Sequence, residues 1–123
     1  MSEKTKKIIY WVLTGMVAFV FIGSALSKLT ASPEALEMAQ KFGLDKDSHF
    51  MLGIVELLIV ILFVVPRTGV IGAFLLVAYM GGAIATHLEH GESLIAPCII
   101  QAFVMAVTFY RFPQLLRTLL TSK

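Results

Sequence analysis

Glu56 is the formal charge that falls deepest inside an apolar stretch of this chain, in the run GIVELLIVILFVV. An isolated carboxylate costs several kcal/mol to bury, so such a group is protonated, paired with a cation, or open to a water-filled cavity. Lys28 and His87 are the cations within reach, because each closes another apolar stretch. Thr86 adjoins His87, Gln101 falls at a depth comparable to Glu56, and Tyr79 projects near the middle of its own stretch, where its hydroxyl needs a partner or a pocket. A carboxylate among an ammonium, an imidazole, an amide and hydroxyls can hold or relay a proton and donate hydrogen bonds to a carbonyl. That chemistry suits a small polar or quinone-like ligand, or a proton relay. The plainer alternative is a hydrogen bond from Glu56 to a neighbour such as Thr86 that merely fixes helix register.

Two other groupings carry weaker chemistry. His87 and His90 stand one helical turn apart with Glu89 and Glu92 close by, but the order is not HExxH, and polar residues at a helix end are ordinarily solvated. No metal site is expected there, and His49 does not change that. Cys98, the one cysteine, cannot form an intrachain disulfide or a CxxC dithiol. It follows Pro97 in the first turn of a helix and is expected to be a buried small hydrophobe.

The elements that position these residues follow from composition. Of 123 residues, 58% are hydrophobic and 15% charged, and the mean hydropathy is +0.86; a soluble domain is about half apolar and a quarter charged. An integral membrane protein is expected. The net charge of +2 is too small and dispersed to suggest nucleic acid. Four apolar segments emerge, at about 8–27, 50–65, 68–87 and 94–111, each long enough to span a bilayer. Backbone groups in lipid must be satisfied internally, so each should be a helix. The first segment follows Lys4, Lys6 and Lys7 and runs long enough to span, which favours a retained helix over a cleaved signal peptide.

Connections set the arrangement. Pro66 stops the second span and leaves a tight turn, so the second and third spans are antiparallel neighbours, and the turn at Gly91 to Ser93 does the same for the third and fourth. The long connection opens with Ser32-Pro33-Glu34, an N-cap followed by proline, and closes at Gly43. An interfacial amphipathic helix over about 33–42 is expected. If both termini share one side, that side holds Lys4, Lys6, Lys7, Arg67, Arg111, Arg117 and Lys123 against Lys28, Lys41 and Lys46 opposite, which places the termini inside. The tail FPQLLRTLLTSK reads as a short amphipathic inner extension. Small residues at four-residue spacing in the third span, Ala78, Gly82 and Thr86 with Gly81 and Ala85, are expected to pack within the bundle, with a dimer face as the alternative. The expectation is an all-α fold: one domain, 1–123, forming an integral membrane four-helix bundle, N-in and C-in, with a short interfacial helix in its first outer loop.

Some of these residues resemble the DoxX-like family of small four-helix bacterial membrane proteins, over roughly residues 8 to 110. They are Gly23 through Lys28-Leu29, Gly53-Ile54-Val55-Glu56, Pro66-Arg67-Thr68 with Gly72-Ala73, and Ala83-Ile84-Ala85-Thr86-His87. The resemblance implies a bacterial inner-membrane location and association with membrane redox chemistry near the quinone pool, since the family takes its name from a small subunit of a thiosulfate:quinone oxidoreductase. This chain has no CxxC pair and no Gly-rich dinucleotide loop, so electrons would need a bound quinone or a partner's cofactor. The expectation is therefore a non-autonomous subunit. Its outer-half pocket, lined by Glu56, Lys28, His87, Gln101, Thr86 and Tyr79, would bind a quinone or similar small ligand. The lipid bilayer, a membrane or periplasmic protein and a second copy of the chain are the implied partners. The rival is an assembly or scaffold protein without activity; a small-solute or proton transporter ranks below both, because no inverted repeat is visible.

Overall fold

A computed structural model describes residues 1–121. Six α-helices follow one another: α1 (Glu3–Leu29), α2 (Pro33–Lys41), α3 (Lys46–Val64), α4 (Gly69–Glu89), α5 (Ile95–Arg111) and α6 (Pro113–Leu120), with a 3-10 turn at Pro66–Thr68 before α4. The fold is all-α among the described residues. The helices α1, α3, and α4 with its 3-10 turn are each long and apolar enough to cross a membrane; α5, with 17 residues, reaches that standard only together with α6, from which it is bent by 102°. Ser122 and Lys123 lie outside the described residues, and with them one cation of the orientation count.

Packing runs in sequence order, α1 on α3, α3 on α4 and α4 on α5, with α5 returning to touch α1. The core draws Val17 and Phe21 from α1, Val60 and Phe63 from α3, Leu76 and Met80 from α4, and Val104 and Val107 from α5. Only 22–33% of the most apolar window of each spanning helix is buried by the protein. The rest, including Phe19, Leu58, Phe74 and Ile99, faces outward and needs an apolar surrounding.

Lipid is as apolar as leucine, so these helices are held by close contact rather than by a hydrophobic drive. Helices approach closely at two glycines. A Cβ on Gly72 would lie 2.3 Å from the Phe63 backbone nitrogen, and one on Gly53 would lie 2.9 Å from Lys28 Cβ and 3.2 Å from the Ala25 carbonyl oxygen. The buried face of α4 is Gly69, Gly72, Ala73, Leu76 and Met80, a helical repeat that meets α3. The expected packing through Ala78, Gly81, Gly82 and Ala85 is corrected: all four are exposed, and no atom stands within 4 Å of a Cβ built on Gly81 or Gly82. Four-residue spacing defines a face, but not which neighbour meets it.

The end of the bundle at which α3 and α5 finish is closed by Arg111, which the orientation count treated as an interfacial cation. It is 5% exposed. Its guanidinium donates to the Phe63 carbonyl at 2.7 Å and to the Tyr10 hydroxyl at 3.3 Å, over the rings of Tyr10, Phe63 and Phe112. A cation there meets the last carbonyls of α3, where the helix dipole favours positive charge.

At the opposite end, Ser32 caps α2 by accepting from the Ala35 amide at 3.1 Å. The helix ends in a Schellman motif, with Leu44 N–H on the Ala39 carbonyl, Gly43 N–H on the Gln40 carbonyl, and Gly43 at φ +69. Ala35, Ala39 and Phe42 form the face turned to the bundle. Phe42 sits 4.7 Å from the His87 ring and 5.7 Å from His90, while Lys41 pairs with Glu92 at 2.9 Å. Helix α2 is thus tethered to the α4 to α5 turn.

Candidate functional site

Lys28 stands in the last turn of α1, and Ser24 lies one turn earlier on the same face. Gly53 lets α3 approach that face closely, and Glu56 follows three residues later on the side of α3 that Gly53 has brought near. The result is a closed triangle. Lys28 Nζ lies 2.9 Å from Glu56 Oε1 and donates to Ser24 Oγ at 2.6 Å, while Ser24 Oγ donates to Glu56 Oε1 at 3.1 Å. Glu56 is 2% exposed and the Lys28 side chain 12%. Tyr79 is turned toward Glu56 from α4, near enough for its hydroxyl to interact with the carboxylate. Removing one member of such a buried pair leaves the other charge uncompensated, so the three side chains stand or fall together.

Lys28 also walls a cavity of about 280 Å³ between the end of α1, the turn into α2, and the first turn of α3. Ala31, Lys46, Asp47, His49 and Phe50 share that wall. An ammonium has three N–H bonds, and Lys28 commits two of them to Ser24 and Glu56, which leaves one. His49 is 4% exposed, and neither of its ring nitrogens has a hydrogen-bond partner. Ala31 holds φ 51, a left-handed conformation that costs a residue with a Cβ about 1 kcal/mol. A larger depression, about 480 Å³, lies along Lys4 to Val12 on the outside of α1 alone, where no polar groups from different elements converge.

Of the residues singled out by sequence, Lys28 and Glu56 are paired, and Tyr79 lies beside them. The others serve their own surroundings. Thr86 donates to the Gly82 carbonyl at 2.9 Å within its own helix. His87 Nδ1 bonds the Ala83 carbonyl at 2.7 Å, and its ring meets Phe42. Gln101 Nε2 donates to the Val77 carbonyl at 3.1 Å, tying α5 to α4, and its buried Oε1 has no partner. The carboxylate's formed bonds go to Lys28 and Ser24, not to His87 or Thr86, because α1 rather than the end of α4 packs closest to Gly53 and Glu56. Cys98 is exposed on α5, a correction to its expected burial.

Two residues of the site were not among those named as its lining. Ser24 carried a signal in its four-residue spacing from Lys28. His49 looked like a loop residue because the helix was expected to begin at Phe50; Asp45 instead caps α3 by accepting from the Ser48 amide at 2.6 Å, and His49 falls in its first turn. The pattern Asp45-x-x-Ser48 ahead of the apolar run was the available cue.

Neither the curated proteins nor the solved structures contain a match to this chain. A family model does match, over residues 12–110, a span that begins within α1, ends within α5 and holds Ser24, Lys28, His49, Glu56 and Tyr79 while leaving α6 outside. The apolar helices and that match together mark a membrane protein, and the chain belongs to the DoxX-like family.

Proposed function

We propose that this chain is a non-autonomous subunit of a bacterial inner membrane, both termini on the cytoplasmic side, whose outer-half cavity binds a quinone-like molecule. The observation that carries the reading is the buried Lys28 and Glu56 pair with Lys28 also exposed to the cavity. A charge pair is costly to bury, and intramembrane ionisable groups are kept where they act on a ligand or a proton. The residues present fit such a headgroup. Lys28 has an uncommitted N–H for a carbonyl oxygen, His49 adds unpartnered nitrogens, and Phe50 supplies an aromatic wall at the mouth. A bound quinone would supply the capacity to take up or release two electrons with two protons. Glu56, through Ser24 and Lys28, would keep the ammonium in place and accept or return a proton at its carboxylate. With no dithiol in the chain, electrons would come from a partner.

The test is purification of the full chain in lipid nanodiscs, followed by extraction and titration of bound quinone. Co-purifying quinone, or saturable binding of a short-chain benzoquinone that Glu56→Gln weakens at least tenfold, supports the reading. Absence of both overturns it.

A second reading, an assembly protein, is favoured by the open small-residue face of α4. Ala78, Gly81, Gly82 and Ala85 are exposed and unused by the fold, which suits close approach by another helix. A stable partner lost on Gly82→Leu, from a protein that binds no quinone, is the outcome expected of that reading.

A further inference from the structure

We infer that His49 is a ligand-contacting residue of the cavity beside Lys28, and that the ligand is an uncharged, largely apolar molecule meeting it with a carbonyl or hydroxyl oxygen. The inference rests on the reading of this cavity as the binding site, and it names a residue and a ligand class. Buried polar atoms are nearly always hydrogen-bonded, so a buried imidazole with both nitrogens unpartnered calls for an occupant. Gln101 Oε1 and Arg111 Nε are also buried and unpartnered, but neither residue lines this cavity and each has its other bonds made within the protein. His49 has none made and has a cavity in front of it.

The wall decides the class of ligand. Lys28 is balanced by Glu56, and Lys46 stands next to Asp47, so opposed charges leave little net field to hold an ion. Leu29, Leu36 and Phe50 make much of the remaining surface apolar. A neutral imidazole presents one N–H and one bare nitrogen, and Lys28 presents one spare N–H. A carbonyl oxygen can accept from both donors. A hydroxyl can also donate to the bare nitrogen, so the same wall suits a carbonyl compound and its hydroxylated counterpart.

The experiment uses full-length protein in nanodiscs with ¹⁵N-labelled histidine, titrated with a short-chain benzoquinone and separately with a 4-alkylphenol. Expected is a saturable shift of the His49 imidazole resonances with at least one probe while His87 and His90 stay in place. Affinity should fall about tenfold in His49→Gln, which keeps a polar group in place, the scale of one lost hydrogen bond to a buried group. His49→Phe should abolish binding yet raise the melting temperature of the ligand-free protein, because it removes two unpartnered buried nitrogens. Saturable binding of the quinone with His49 resonances unmoved and His49→Phe binding equally well overturns the role of His49 and leaves the quinone reading standing. Phenol binding through His49 without quinone binding does the reverse. If neither probe binds, both are overturned.

Discussion

Glu56 and Lys28 form one unit, and their variants should behave as one. Glu56→Gln leaves the ammonium buried against an amide and should destabilise the protein by about 3–5 kcal/mol, whereas Lys28→Met combined with Glu56→Leu should cost much less than the sum of the single changes. Thermal unfolding of the four proteins of that cycle checks this, and additive losses would remove the pair from the account. Ala31 offers a second test at the same scale. Its left-handed φ of 51 is strained for alanine and natural for glycine, so Ala31→Gly should stabilise the chain by about 1 kcal/mol. Some of this was readable from sequence: a carboxylate in an apolar run demands a partner, and Lys28 was among those named. The choice of Lys28 over His87 was not readable, because it depends on a backbone approach at Gly53 that hydropathy does not report.

At the level of elements, contact between helices rests on a few glycines. Gly72→Val would drive a side chain into the Phe63 backbone, which cannot rotate aside, and should cost about 3 kcal/mol or more. Gly82→Val meets open space and should fold normally; unfolding midpoints of the two variants, compared side by side, decide the matter. The end that carries α2 has its own pH dependence. Glu92 holds the Lys41 ammonium above its ordinary pKa of 10.5, so the tether of α2 is present below that pH and lost as pH rises through the raised value. The Ser48 amide holds Asp45 below its ordinary 3.8, so the cap of α3 is present above that pH and lost as pH falls through the lowered value. Amide exchange should therefore quicken in α2 on the alkaline side and in the first turn of α3 on the acid side, with both slow between. Apolar length and turn residues made the helices legible in advance. The start of α3 was not, since its first turn is polar and only the Asp45 cap reveals it.

The whole molecule is a thin bundle whose outward surface is apolar around its girth, with cations gathered at the end that carries Lys4, Lys6, Lys7 and Arg67. That asymmetry argues for termini on the cytoplasmic side, and thiol labelling of a cysteine placed at position 3 or at position 37 in a Cys98→Ser background should mark only the latter from outside intact cells. The bend of 102° before α6 turns Leu116, Leu119 and Leu120 along one side, as suits a helix lying at a membrane surface. The all-α class and its apolar helices were legible because lipid restricts a chain to few solutions. The cavity was not, because it forms where three separate segments meet.

The cavity walled by Lys28 and His49 is where the proposed quinone-like ligand is expected to bind. Photolysis of a photoreactive quinone analogue on the full chain in nanodiscs, followed by peptide mapping, tests it most directly. Adducts should fall within residues 28–36 and 46–50 and disappear with excess unlabelled quinone. Adducts confined to the face of Ala78, Gly81 and Ala85, or spread along the lipid-facing surface without competition, would contradict it.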